Sequence, residues 1–331
     1  MGHYQHLTLL EREKILFFTG KGYSLEQIAR ELGRSKSTIS REIKRNSPKG
    51  EYVPFLAQKE YGKRRKRCGR KKILATNREL YALVEERFLN RQWSPEQIAG
   101  RLRLEGYANP ISYQTIYRAI YAGLFDTKEQ KRSEGNRGMK RRLRHKGKPR
   151  KTKNPDSRRG KMAISHSIEE RPEAANARTR MGDWEADTVI GRAGGPRLVT
   201  LVDRRSRYLL CRKAASEKKD VVAQTMIDCL RGHPCESITP DRGKEFSRHG
   251  TVTAALGVEF YFALPRHPWQ RGTNENTNGL LREYIPKKTD LTNVSDAEIQ
   301  AIEDKLNLRP RKCLGYLSPF EVFFQTSLHL T

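Results

Sequence analysis

The sequence is short of negative charge. Its 331 residues hold 38 Asp and Glu against 66 Lys and Arg, a formal net charge of +28 at pH 7. So much self-repulsion is simplest to understand if the partner is a polyanion. Cysteine is scarce too. Five residues, odd in number and scattered, do not make a disulfide framework. Cys229, His233 and Cys235 follow a C-x3-H-x-C spacing that matches no common zinc motif. No apolar stretch reaches membrane-spanning length, which argues against a membrane partner. The longest early apolar run, residues 15–18, does not resemble a signal peptide. At 36% apolar residues, the chain can still fill two or three modest cores. These features together predict a cytoplasmic protein in contact with nucleic acid.

The charge is uneven. Residues 1–150 hold 36 basic and 15 acidic residues, whereas residues 151–331 hold 30 and 23. In the front half, Thr8 with Glu11 and Ser24 with Gln27 form capping-box patterns that start two helices. Gly33 breaks the second helix, and Ser35 opens a third, SKSTISREIKRN, with apolar residues sparse and chiefly at Ile39 and Ile43. The other face of this third helix carries Lys36, Ser37, Ser40, Arg41, Lys44 and Arg45. Two short helices about a Gly turn, the second narrow, polar and basic, predict a helix-turn-helix that reads a major groove, with Ser35 and Thr38 at its entry. The pattern recurs: WSPEQIAGRL (93–102) echoes YSLEQIAREL (23–32). ISYQTIYRAIY (111–121) then takes the third-helix place and offers Tyr113, Gln114 and Arg118. This second unit reads DNA or serves only for packing or dimerisation.

Two basic runs flank the second unit. KRRKRCGRKK (63–72) has eight basic residues in ten, Arg64 and Arg65 among them. Residues 131–153, with Arg141 and Arg142, have twelve in 23. Such runs are linkers in solution and phosphate contacts on DNA. The expected organisation is a first helix-turn-helix domain (1–48), a basic linker (49–74), a second helix-turn-helix domain (75–128), a basic linker (129–175) and an α/β domain (176–331).

From residue 183 the periodicity becomes two. DWEADTVI, RLVTLVD and YLLCRKA read as three strands, followed by a helix over 218–232, a strand ESITPD, a helical segment near 247–256, a strand VEFYFAL and a helix NENTNGLLREYI. That order is ribonuclease-H-like, an α/β mixed sheet with its first and fourth strands adjacent. Asp187 falls in mid-strand, Asp241 at the end of the fourth strand and Glu275 at the start of the last helix. Three converging carboxylates need bound cations, and oxygen-only ligands select Mg2+ or Mn2+. Periodicity does not choose among the acids, because Asp183, Glu185 and Asp187 share one strand face. Asp203 is a further candidate as the strand-end turn acid that begins DRRSR, and Glu245 lies four residues after Asp241, one helical turn on. Trp269 is expected in the core and His267 in a loop or facing DNA. Asn274, Asn276 and Asn278 are expected to cap the helix or contact DNA.

The segments MGDWEADTVIG, SITPDRGKEF and HPWQRGTNENTNGLLREYIPK resemble the catalytic blocks of bacterial insertion-sequence transposases of the insertion sequence thirty family. The reader LTLLEREKI…YSLEQIARELGRSKSTISREIKRN and the tail LNLRPRKCLGYLSPFEVF resemble the same family. There are 53 residues between Asp187 and Asp241 and 33 between Asp241 and Glu275, and the second interval is close to the spacing of retroviral-integrase-like enzymes. Asp183 and Ala186 stand where the family pattern has His and Gly, and Arg242 where it has Asn. The resemblance implies that Asp187, Asp241 and Glu275 hold two Mg2+ or Mn2+ ions. It implies a bacterial, nucleoid-associated transposase that binds double-stranded DNA, both inverted-repeat ends and target, as a homodimer or larger oligomer. Arg282, two helical turns after Glu275, would then grip the end DNA. The other reading is a non-catalytic DNA-binding regulator or a domesticated protein that keeps the fold.

Overall fold

The computed structural model describes residues 5–47, 50–68, 72–108, 110–127, 138–143, 163–192, 194–265 and 267–330. The chain divides into two compact units, Met1–Asn77 and Arg78–Thr331.

In the first unit, α1 (Leu9–Gly20), α2 (Leu25–Glu31) and α3 (Lys36–Asn46) start where the caps predict. Thr8 with Glu11 and Ser24 with Gln27 close full capping boxes, and the Ser35 hydroxyl accepts from the Thr38 amide. Ile15, Ile28 and Ile39 are fully or almost fully buried between the helices, each worth about 1.5–3 kcal/mol of apolar burial. The expected linker 49–74 contains a further helix, α4 (Pro54–Arg67), and a short turn of helix, α5 (Ile73–Thr76). The reason α4 forms lies in its first half. Pro54 suits the first helical position, Ala57 and the preceding Tyr52 bury into the same core, and Arg12 binds the whole together. The Arg12 guanidinium is 2% exposed and donates to Glu42 of α3 (2.7 Å), the Leu7 carbonyl (2.6 Å) and Gln58 of α4 (2.5 Å).

In the second unit, α6 (Arg78–Leu89), α7 (Pro95–Leu104) and α8 (Tyr113–Ala122) form the repeated helical unit, with Ser94 and Gln97 closing its capping box. The repeat diverges where this helical unit is buried. Arg30 and Glu31 of α2 are exposed, whereas Gly100 and Arg101 at the matching places in α7 are buried. A Cβ on Gly100 would lie 2.3 Å from the Tyr316 ring, so only glycine fits there. Arg101 is 1% exposed and holds Glu321 through two bonds (2.7 and 2.9 Å) and Glu105 through one (2.5 Å). This helical unit is therefore docked on the C-terminal segment by a buried ion cluster.

Behind it stands one six-stranded sheet, formed by β1 (His166–Ser167), β2 (Asp183–Ile190), β3 (Arg197–Asp203), β4 (Leu209–Ala214), β5 (Ser237–Thr239) and β6 (Glu259–Phe262). Its order is β1-β6-β5-β2-β3-β4. β2, β3 and β4 run antiparallel, and β5 pairs parallel with both β2 and β6. An antiparallel meander extended from its first strand by parallel strands is the ribonuclease-H-like order. The expected linker 129–175 supplies β1 and most of α9 (Glu173–Ala177) to this unit. Of the basic run within it, residues 131–137 and 144–153 lie outside the described residues. α10 (Lys219–Leu230) and α11 (His249–Leu256) cover one face of the sheet with Val222, Met226 and Val252. α12 (Gly272–Tyr284) and α13 (Asp296–Asn307) cover the other with Leu280, Leu281, Ile299 and Leu306. A final helix, α14 (Pro319–Phe324), bears Glu321. Among the described residues no helix is long and apolar enough to cross a membrane.

Candidate active site

The acids of β2 are separated by their partners. Asp183 is fully buried, is gripped by Arg180 (3.0 and 3.1 Å) and accepts from the Ser237 hydroxyl (2.6 Å). Glu185, also fully buried, pairs with Arg204 and accepts from the Asn274 amide (2.8 Å). Asp203 accepts from the backbone of Gly182 and Ser206 and from the Ser206 hydroxyl. These three acids hold the fold together.

Asp187 differs, because its partners come from across the sheet end. One oxygen accepts from the Thr188 amide (2.8 Å), and the other from Asn278 of α12 (3.0 Å) and Arg271 (3.3 Å). The pairing of α12 with β2 has a geometric cause. Four helical residues rise about 6 Å, close to the about 6.6 Å of two strand residues. Asn274, Asn278 and Arg282 on successive turns therefore meet Glu185, Asp187 and the Ile190 carbonyl in order.

Asp241 lies two residues beyond β5, which adjoins β2. Its Oδ1 accepts from the Gly243 amide (2.8 Å) and its Oδ2 lies 4.0 Å from Arg271. A single guanidinium thus spans Asp187 and Asp241 while also donating to the Ala186 carbonyl (3.0 Å). Desolvation pushes the Asp187 carboxyl above the usual carboxylate range. Arg271 opposes the rise, and the charges of Asp241 and Glu245 add to it. Glu245 is itself held by the Thr188 hydroxyl (3.0 Å).

Glu275 sits in the first turn of α12 with its side chain exposed. Ideal helix geometry puts it about 60° around from Asn278. Among the described residues no three His, Cys, Asp or Glu side chains are grouped closely enough to hold an ion. The structure therefore brings Asp187 and Asp241 together around Arg271 and leaves Glu275 on the neighbouring edge of the helix.

The expected DNA contacts divide similarly. Ser35, Lys36, Ser37, Arg41, Lys44 and Arg45 are exposed on α3, and Thr38 and Ser40 are half-buried. Arg64 and Arg65 of α4 line a notch of about 290 Å³ together with Thr38, Arg41 and Arg45. Tyr113, Gln114 and Arg118 are exposed on α8, and Arg142 is exposed at the end of the turn Gly138–Arg142, which also contains Arg141. Arg282 is half-buried and donates to the Ile190 carbonyl (2.7 Å). The expectation for Trp269 is overturned: it is 69% exposed, with the His267 ring against it at 4.6 Å. The short turn Pro268–Arg271 projects the indole outward before the chain enters α12. Arg271 escaped sequence reasoning, and its one local signal was a basic residue immediately before an acid-bearing helix.

A helix-turn-helix reader and a ribonuclease-H-like sheet with one acid within its central strand β2 and another just past the neighbouring β5 define a DNA-transposing enzyme. Residues 3–46 match a helix-turn-helix domain family. The transposase for insertion sequence element IS4351 of Bacteroides fragilis is 39% identical, over 97% of this chain and 96% of its own. Transposase InsI for insertion sequence element IS30C of Escherichia coli K12 is also 39% identical, over 96% of this chain and 83% of its own. Among solved structures, the catalytic core domain of BIV integrase is similar over 43% of this chain and 93% of its own, at 17% identity and a TM-score of 0.35. The chain belongs to the insertion sequence thirty family of transposases.

Proposed function

We propose that this transposase binds the inverted-repeat ends of its element through its helix-turn-helix units. It then cuts and joins DNA strands by metal-dependent transesterification at Asp187, Asp241 and Glu275. The observation that carries this reading is the Arg271 guanidinium spanning Asp187 and Asp241. Two carboxylates brought together at a sheet end require positive charge between them. Their all-oxygen donor set suits Mg2+ or Mn2+. Bound divalent ions in such a site activate the attacking hydroxyl and steady the leaving oxygen of a phosphodiester.

The chain's own residues orient these groups. The Thr188 amide and Asn278 fix both oxygens of Asp187, and the Gly243 amide fixes one of Asp241. Glu275 is the third ligand, carried on the same helix as Asn278. In each step one phosphorus–oxygen bond forms as one breaks: water first frees a 3′-hydroxyl at the element's end, and that hydroxyl then attacks a target phosphodiester. No covalent protein–DNA intermediate is needed. Two ends must be held together, so the working form is at least a dimer.

Purified protein with labelled end DNA tests the reading. Nicked and joined products are expected with Mg2+ and none with chelator. Protein that shifts the DNA and never nicks it would be a regulator instead. Replacing Arg271 with Gln leaves the two acids unscreened, so Mn2+ binding measured by electron paramagnetic resonance without DNA should tighten about tenfold. Unchanged affinity would mean that Arg271 does not occupy the cation's place. In the first unit, Arg41→Ala should lower the slope of log affinity against log salt by about 0.9, as expected for one lost phosphate contact.

A further inference from the structure

On the flank of α12 turned away from Asp187, two adjoining cavities meet at Asn276, Arg311 and Cys313. The smaller, about 200 Å³, is walled by Arg178, Arg207 and Arg311, with Thr273 and Thr277 at its base, and no Asp or Glu lines it. Arg178 and Arg207 both have left-handed backbones (φ 58° and 66°), a strained conformation for a non-glycine residue that gathers at functional sites. Burial and the neighbouring Arg178 charge hold the Arg207 guanidinium below its usual range, so positive charges crowd there. Its Nη1 donates to the Thr273 hydroxyl, which fixes it against the helix.

The larger cavity, about 710 Å³, lies between α8 and α12 and also has no Asp or Glu in its lining. Tyr117 and Tyr121 contribute near-parallel rings (20° between planes), and Lys140 stands over Tyr121 at 4.7 Å. Arg142 stands at its edge, and Arg309 is buried in its wall, where it pairs with Glu283 (2.9 Å). An anion-sized basic pocket opening into an aromatic, basic chamber is the donor set of a nucleotide, with phosphate in the first and base in the second. A duplex, roughly 20 Å across, cannot enter a space of this size, whereas one or two unpaired nucleotides can.

We propose that these joined cavities form a site for an unpaired nucleotide of DNA, with its phosphate against Arg178, Arg207 and Arg311 and its base on Tyr117 and Tyr121. The site adjoins Asn276, next to Glu275, so a strand end lifted from the duplex would be held on the Glu275 side of α12, across the helix from Asp187. The site does not depend on the metal-ligand assignment, and its test runs in chelator without strand cutting.

The probes are a blunt duplex and the same duplex with a two-nucleotide 3′ extension ending in 2-aminopurine, each bound to the full-length protein. The extended duplex should bind about tenfold more tightly, and its 2-aminopurine fluorescence should fall on binding. Tyr121 and Arg178 are exposed, so variants at both are expected to fold. Tyr121→Ala should restore the fluorescence, and Arg178→Gln should abolish the preference for the extension without changing blunt-duplex affinity. Equal binding of both probes by the wild type, or unchanged fluorescence, would overturn the proposal. So would an Arg178→Gln loss that is equal for blunt and extended DNA.

Discussion

Replacing Asp241 with Asn is expected to abolish strand cleavage and strand joining on end DNA while leaving that DNA bound. The side chain keeps its size, and its remaining oxygen still accepts from the Gly243 amide. What is lost is one negative charge next to Asp187. A neutral amide oxygen is a much weaker ligand for a hard dication than a carboxylate, and if Asp241 is a ligand that stabilises charge in the transition state its loss should lower rates by about a thousandfold. The measurement is a strand-transfer assay beside a gel-shift titration. Undiminished joining by the variant would remove Asp241 from the metal site. Asp183→Asn makes the contrast. That acid is buried against Arg180 and Ser237, so its loss should act on folding and not on the chemical step of the folded protein.

The second large effect concerns Arg101. Arg101→Met leaves Glu321 and Glu105 buried without their shared cation, and an uncompensated buried charge costs about 3–5 kcal/mol. Chemical denaturation followed by circular dichroism would read the loss, and a change under about 1 kcal/mol would contradict the buried cluster. The cluster also predicts a pH dependence. The Glu321 carboxyl is pulled down to about 2 by Arg101 and by the Ser318 and Leu328 amides, against the opposing effect of burial. A depressed carboxyl stabilises the fold fully above its unfolded value near 4.5. The contribution falls away as pH drops from there through about 2. Wild-type stability should therefore decline over that window more steeply than that of Arg101→Met.

Much of the architecture was legible because its signals are local. The capping boxes at Thr8, Ser24 and Ser94 and the two-residue period of β2 and β3 act within a few residues of chain. Helix α4 was concealed because the basic run 63–72 dominates its composition, while its place in the core depends on Ala57, Tyr52 and the distant Arg12. Periodicity put Asp183, Glu185 and Asp187 on one face, as the structure has them. The difference among them comes from Arg180, Arg204 and Arg271, three partners whose positions only the folded chain supplies. Trp269 was misjudged for the same reason. Its bulk suggests burial, but the turn before α12 aims it outward.

The anchoring of α7 by Arg101 has a metric consequence. If α8 grips a duplex, that duplex should lie at a constant distance from Asp187, because Arg101 ties the unit to Glu321 of the same compact unit as the sheet. The unit would then act as a ruler, with the position of the nick counted in base pairs from the sequence it holds. Adding one base pair between that sequence and the element's tip should move the nick by one nucleotide relative to the tip.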